Sequence, residues 1–299
     1  MPEVSIVVPA HNAGRTLAQT LASVIAQTVV DYEVIVVDDG STDDTAQVAG
    51  QAQDSRVTVV STANGGVARA RNHGIARATG SFVAFLDADD LWRPTKLADQ
   101  LQRLAADPGA GVCVTAATRI DDRSREIGLM GLEDTRDTCT ALLLRSMVAG
   151  CISSGLVRRS LLEAVGGFDP AFSQCADWDL WLRLSRETRF SLLDEDLVLY
   201  RTHAGNMSDN ISLLERDSFA VLDKFFACEA SGPYQPLRRR AYSNHWLICS
   251  GSYLHAREPG NSFRCLANAL REDPSNLRRL AGLPRRWCAR LSRRLDARR

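Results

Sequence analysis

Short apolar, β-rich runs alternate with amphipathic stretches over the first hundred residues, and this alternation limits the fold more than any other feature. Val4–Val8 ends at Pro9, and residues 15–28 then carry Leu17, Leu21, Val24 and Ile25 at helical spacing. Val34–Val37 follows, after which Ser41-Thr42-Asp43 offers a cap for a helix over 42–53. Val57–Val60, a helix over 67–78 behind Gly65-Gly66, Phe82–Leu86, a helix over 94–106 opened by Pro94, and Val112–Thr115 continue the series. Uninterrupted apolar strands separated by helices predict an α/β domain on a Rossmann-like, mostly parallel sheet covered on both faces. Residues 116–150 are less regular and leave room for an antiparallel excursion. Helices are expected over 159–165 and 176–187, and one or two strands over Leu192–Tyr200.

Beyond about residue 210 only helical periodicity remains. Residues 241–256 and 261–272 look like a helix pair resembling one tetratricopeptide-type repeat, and one copy is too few for a solenoid. The expected organisation is therefore residues 1–210 as the α/β domain and 211–299 as an all-α C-terminal appendage. Net charge is zero over 299 residues, yet residues 264–299 hold eleven arginines against three acids, and the rest is acidic by the same margin. That balance argues against a nucleic-acid partner. In the last fifteen residues Trp287, Leu291 and Leu295 recur at i, i+4 and i+8 among seven arginines. This basic amphipathic pattern fits a solvated helical end or, more sharply, a peripheral membrane contact through 285–299.

Eight cysteines occur, none closer to another than twelve residues, so no zinc-type or redox pair is spelled out and buried free thiols are expected. Met1-Pro2-Glu3 leads straight into a strand-like run, and no apolar stretch approaches the roughly 20 residues of a membrane span. The expectation is a cytoplasmic protein, soluble or peripheral on the inner face of the cell membrane.

Three strands end in polar residues that packing does not require: Pro9-Ala10-His11-Asn12, Asp38-Asp39-Gly40 and Asp87-Ala88-Asp89-Asp90. In an open parallel sheet such ends share one edge, where the ligand crevice forms. Any one of these aspartates reads equally well as a turn residue, but three together point to a functional edge. Asp87 and Asp89 flank one residue, so extended backbone directs both carboxylates to one side. Like charges held together call for a cation, and carboxylate oxygens suit Mg²⁺ or Mn²⁺ completed by substrate phosphates. Arg71, in a helix behind the glycine pair, is a candidate phosphate partner, with a surface role as the plainer reading. No GxGxxG or Walker-type loop occurs, which argues against dinucleotides and ATP hydrolysis.

Taken in order, Val4-Ser-Ile-Val-Val-Pro-Ala-His-Asn12, Val37-Asp-Asp-Gly-Ser-Thr-Asp43, Ala70-Arg-Asn72, Leu86-Asp-Ala-Asp-Asp90, Val165-Gly-Gly-Phe-Asp169 and Ala176-Asp-Trp-Asp-Leu-Trp-Leu-Arg183 resemble the family 2 glycosyltransferases of the GT-A fold, across roughly residues 3–208. The resemblance implies an inverting enzyme with a nucleotide-diphospho-sugar donor, UDP-linked by preference, a divalent metal, and a glycan, lipid-linked or small-molecule acceptor. By position it implies that Pro9, Ala10 and Asn12 line the nucleotide and that Asp39 bonds the base. It places Arg71 and Asn72 near the phosphates, Asp87 and Ala88 at the ribose side, and Asp89 on the metal. It makes Asp177 the general base, with Asp179 as the competing candidate. Arg201-Thr-His203 resembles an element that closes the site, which makes His203 a metal ligand or diphosphate contact, against a structural role. The family often has Glu-Asp where this chain has Ala176-Asp177.

Two other readings stand beside this one. A sugar nucleotidyltransferase would share the sheet and metal, but normally needs a glycine- and basic-rich loop after the first strand, and Pro9–Arg15 holds a single glycine. A non-catalytic nucleotide-sugar-binding module predicts a broken acidic motif or a missing base, and both are intact.

Overall fold

The computed structural model describes residues 1–132, 137–145, 151–203 and 210–276. The chain divides into two compact units, Met1–Leu213 and a second beginning at Leu214.

In the first unit β1 (Val4–Ala10), β2 (Tyr32–Asp39), β3 (Val57–Thr62) and β4 (Phe82–Phe85) lie parallel in the order β3-β2-β1-β4. Every residue of β1 is buried, as two-sided cover by helices requires. The connections are α1 (Leu17–Ile25), α2 (Thr45–Gly50) and α3 (Val67–Ile75). A Cβ at Gly74 would sit 2.2 Å from Val7 Cγ1, so the bare glycine is what lets α3 lie against β1.

The sheet continues past β4 as β8 (Gly155–Arg158), β6 (Ala110–Ile120), β9 (Arg189–Arg201) and β5 (Leu91–Trp92), with β7 (Glu126–Met130) paired to β6. Here the structure departs from a mostly parallel sheet. β6 and β9 are parallel, but β4–β8, β6–β8, β5–β9 and β6–β7 are antiparallel, so the whole is mixed. The reason is local. Entered through the 3₁₀ turn Ile152–Ser154, β8 lies between β4 and β6 and runs opposite to both. The helices of this half are α4 (Lys96–Ala106), α5 (Thr138–Arg145), α6 (Arg159–Val165) and α7 (Ala176–Glu187). In α7 the buried residues include Trp178, Leu180, Trp181, Leu182 and Leu184, with Trp181 edge-on to Phe190 at 5.7 Å.

The second unit holds most of α8 (Ile211–Ala227), a 3₁₀ segment Glu229–Leu237, α9 (Arg238–His255) and α10 (Pro259–Glu272). α9 and α10 form the expected helix pair, joined by Ser243 Oγ donating to Ala269 O at 2.6 Å. Arg264 grips Glu215 of α8 through two 2.7 Å bonds. The described cysteines are free thiols, buried except for Cys228. Among the described residues no helix is long and apolar enough to cross a membrane. Residues 285–299 lie outside the described residues.

Candidate active site

The polar ends of β1, β2 and β4 converge on a cleft of about 860 Å³. Pro9, Ala10, Asn12, Asp39, Arg71, Asp87, Ala88, Asp89, Asp177 and His203 all line it. Ten of the eleven positions singled out from sequence are thus brought together. The eleventh, Asn72, is not part of the lining. Its amide donates to Phe168 O at 2.7 Å and accepts from Phe168 N–H at 2.8 Å. Both ends are committed to holding the Gly166-Gly167-Phe168 turn, and Phe168 in turn lies under Arg71 (5.2 Å) and edge-on to Phe85 (5.1 Å). Asn72 therefore shapes the floor beneath Arg71.

The loops after β1 and β2 hold each other. Asn12 donates its N–H to Ser41 Oγ at 3.0 Å, and its side-chain oxygen accepts Thr42 N–H at 2.9 Å. Asp43 accepts Gly14 N–H at 3.1 Å, and Thr45 Oγ accepts Ala13 N–H at 2.7 Å. Asn12 sits at φ 51°, a left-handed turn that asparagine tolerates. Ser41-Thr42-Asp43 thus clamp the Asn12 loop, and α2 begins only at Thr45. Asp38 accepts Ser41 N–H at 3.1 Å, the turn role open to it from sequence. Asp39 is more demanding: its two oxygens each accept a backbone N–H, from Gly65 and Gly66, at 2.8 Å. Gly40 is required beside it, because it adopts φ 68° and a Cβ there would meet Asn64 N at 2.6 Å.

Arg71 is buried and donates to Asp87 at 2.6 Å. Its Nε–H is buried without a partner, closed off from the cleft as from solvent. Asp89 Oδ2 lies 3.1 Å from His203 Nε2. Burial, then the charge of Asp87, pushes the Asp89 carboxyl above its usual range, and His203 opposes this. Asp177, half-buried at the start of α7, is also raised, chiefly by burial and to a lesser degree by Asp87; Arg71 and the Trp178 N–H at 2.7 Å act the other way. Asp179, the competing candidate, is buried and bound by Arg183 at 2.6 and 2.9 Å, and it does not appear in the lining of the cleft.

The acids and His203 bear on a divalent cation as follows. Among the described residues no cluster of three ligating side chains is preformed. The 3.1 Å between Asp89 Oδ2 and His203 Nε2 nevertheless matches the edge of an octahedron with bonds of about 2.1 Å, where adjacent ligands are about 3 Å apart. The donor set fits a cation held by two protein ligands and completed by diphosphate and water.

Some site residues gave no sequence signal of their role. Asp90 is fully buried, accepting Ser153 Oγ–H at 2.6 Å and Arg201 N–H at 2.9 Å. Its carboxyl is pushed well above the ordinary value by burial and by Asp89 and Asp87. Ser153 also accepts Asp87 N–H at 3.1 Å, and Trp92 Nε1–H reaches Ser153 O at 2.9 Å. Beneath Trp92, Lys96 is completely buried, its ammonium 3.7 Å from the ring centroid. The hydrogen-bond partners of Asp87, Asp90 and Trp92 named here lie 61 to 111 residues away, beyond the reach of local pattern.

Comparison with known proteins bears on this arrangement. The sequence model of glycosyl transferase family 2 matches residues 5–166. An uncharacterized glycosyltransferase of Nostoc sp. is 32% identical over 218 residues, covering 68% of this chain and 66% of its own length. Among solved structures, S. aureus TarS 1–349 in complex with UDP-GlcNAc superposes with TM-score 0.63 at 17% identity, over 89% of this chain and 91% of that one. The mannosyltransferase PcManGT from Pyrobaculum calidifontis, in complex with GDP-Man and Mn²⁺, gives 0.62 at 21% identity, over 96% and 80%. The fold is that of the GT-A glycosyltransferases. The chain belongs to glycosyl transferase family 2.

Proposed function

We propose that this glycosyltransferase moves a sugar from a nucleotide-diphospho-sugar to an acceptor hydroxyl by one inverting displacement, with UDP as the favoured nucleotide. One observation carries the reading: Asp87, Asp89, His203 and Asp177 line a single cleft, with Arg71 between Asp87 and Phe168. The nucleotide is assigned to the Pro9–Asn12 and Asp39 side. Asp39 Oδ2 keeps a second lone pair after serving Gly66, enough to accept a base N–H. The Arg71 guanidinium, which lines the cleft, is assigned to the diphosphate. Asp89 and His203 would hold Mn²⁺ or Mg²⁺, which when bound offsets charge on the departing diphosphate.

In the displacement the acceptor oxygen bonds to the anomeric carbon as the bond from that carbon to the diphosphate oxygen breaks. The acceptor proton passes to Asp177. Burial raises the affinity of Asp177 for that proton, and the charge of Arg71 opposes the rise. The acceptor class is a glycan, lipid-linked or small-molecule hydroxyl, consistent with surface polysaccharide or glycan synthesis. Inner-face membrane contact through 285–299 belongs to the same proposal, and truncation at residue 284 should move protein from the membrane fraction to the soluble one.

The test is nucleotide release. Wild type incubated with Mn²⁺ and a panel of UDP-sugars, with GDP-mannose as a second arm, should liberate the nucleotide. Asp89→Ala and Asp177→Asn should not. Equal release by either variant refutes the assignment of that residue.

A further inference from the structure

We propose that buried Asp90, acting through Arg201, is a positioning residue that holds His203 against Asp89. The inference rests on the metal-assisted reading above for its purpose, though the latch itself is a property of the protein alone.

His203 comes from the far side of the sequence, 114 residues after Asp89, at the exit of β9. What fixes that exit is a set of bonds to the loop bearing Asp87-Ala88-Asp89. Asp90 accepts the backbone N–H of Arg201 at 2.9 Å with one oxygen. With the other it accepts Ser153 Oγ–H at 2.6 Å, and that same hydroxyl accepts Asp87 N–H at 3.1 Å. The Arg201 side chain runs back across the loop and donates Nε–H to Asp89 O at 2.8 Å. Its far end reaches Gln19 Oε1 of α1 at 3.1 Å and Ser124 Oγ at 3.2 Å. Thr20 Oγ1, also on α1, lies 3.0 and 2.9 Å from the carbonyls of Ala88 and Asp90.

Asp90 therefore ties two segments more than a hundred residues apart, and each presents one half of the Asp89–His203 pair. Arg201 and Asp90 are both buried, so neither is available to substrate. A buried acid between two ligand-bearing segments is the arrangement by which supporting residues orient metal ligands, and loss of such support typically weakens metal binding about 10–100-fold.

The experiment has two arms. In the first, amide hydrogen exchange is followed at residues 200–203 without metal or nucleotide. Asp90→Ala should speed exchange at Arg201, whereas Asp90→Asn, which retains an acceptor oxygen for the Arg201 N–H, should keep it slow. Unchanged protection in Asp90→Ala overturns the latch. In the second, Mn²⁺ affinity in the presence of UDP is measured for wild type, Asp90→Ala, His203→Ala and the double variant. Asp90→Ala should weaken Mn²⁺ binding about 10–100-fold. Adding it to His203→Ala should cost little more, since both act through one side chain. Additive losses overturn the proposal and leave Asp90 as a general fold element. If Asp90→Ala does not fold, Asp90→Leu, close in shape and without an acceptor for the Arg201 N–H, replaces it in both arms; faster exchange at Arg201 with weaker Mn²⁺ binding supports the latch, and wild-type values in either overturn it. If wild type with UDP binds no Mn²⁺, the donor-and-metal reading fails, and the exchange arm alone decides the latch.

Discussion

Replacing Lys96 by methionine should stabilise the protein at neutral pH, by an amount that shrinks as pH rises. Lys96 is completely buried, and its pKa is lowered to about 7 by burial. Relative to an ordinary lysine at 10.5, keeping this group at pH 7 costs about 4 kcal/mol. The Trp92 face at 3.7 Å and the long 3.4 Å bond to Gly155 O act within that pKa and do not add to it. Methionine keeps the apolar stem and drops the charge, so Lys96→Met should gain up to about 4 kcal/mol at pH 7. Between about 7 and 10.5 the unfolded lysine holds a proton that the folded one has shed, so wild type gains stability as pH rises through this window. From pH 7 to 9.5 the advantage of Lys96→Met should fall by about 3 kcal/mol. Urea denaturation of both proteins at the two pH values measures it. A gap that does not move with pH, or a variant less stable at pH 7 than at 9.5 relative to wild type, refutes the argument.

Three further outcomes are expected. Asp177→Asn should lower kcat at least about 100-fold while leaving UDP affinity and Tm near wild type, because asparagine still offers an oxygen to Trp178 N–H; steady-state kinetics and thermal unfolding separate the two. Asp39→Ala removes the acceptor of two glycine N–H groups, so it should cost about 1–3 kcal/mol of stability as well as nucleotide affinity, read by urea denaturation and UDP titration. Asn72→Ala should reduce stability by about 1–3 kcal/mol and slow turnover without changing the pH profile of kcat, since it touches Phe168 and no titrating group; a shifted acidic limb would contradict this placement.

The parts of the fold visible in sequence are those where the local pattern and the tertiary demand agree. α7 has Trp178, Trp181, Leu182 and Leu184 on helical spacing and occupies Ala176–Glu187, the span its periodicity predicts. β6 shows the opposite case. Only Val112–Thr115 stands out by composition, yet the strand runs from Ala110 to Ile120, because pairing with β9 on one side and with β8 and β7 on the other recruits Ala116, Ala117 and Thr118. β8 was likewise invisible, four residues whose strand character exists only between two partners. The antiparallel excursion within 116–150 is β7, short and with Ile127 and Leu129 exposed.

The site divides along the same line. Carboxylates that end strands announce themselves, since nothing in a core requires them: Asp39, Asp87 and Asp89 follow from that reasoning, and the cleft contains all three. What sequence cannot supply is the division of labour among similar residues. Asp87, Asp89 and Asp90 differ in the sequence only by place, yet one pairs with Arg71, one faces His203, and one is sealed from solvent between Ser153 and Arg201. Asn72 looked like its neighbour Arg71 in the motif but faces the opposite task, because successive helical residues point about 100° apart. Motif membership therefore reports that a residue is needed, whereas its contacts decide for what. In this chain the residues around the Asp89–His203 pair are as strictly set by geometry as the pair itself, and three of them, Asp90, Ser153 and Arg201, meet only when β8 has paired with β4 and β9 with β5.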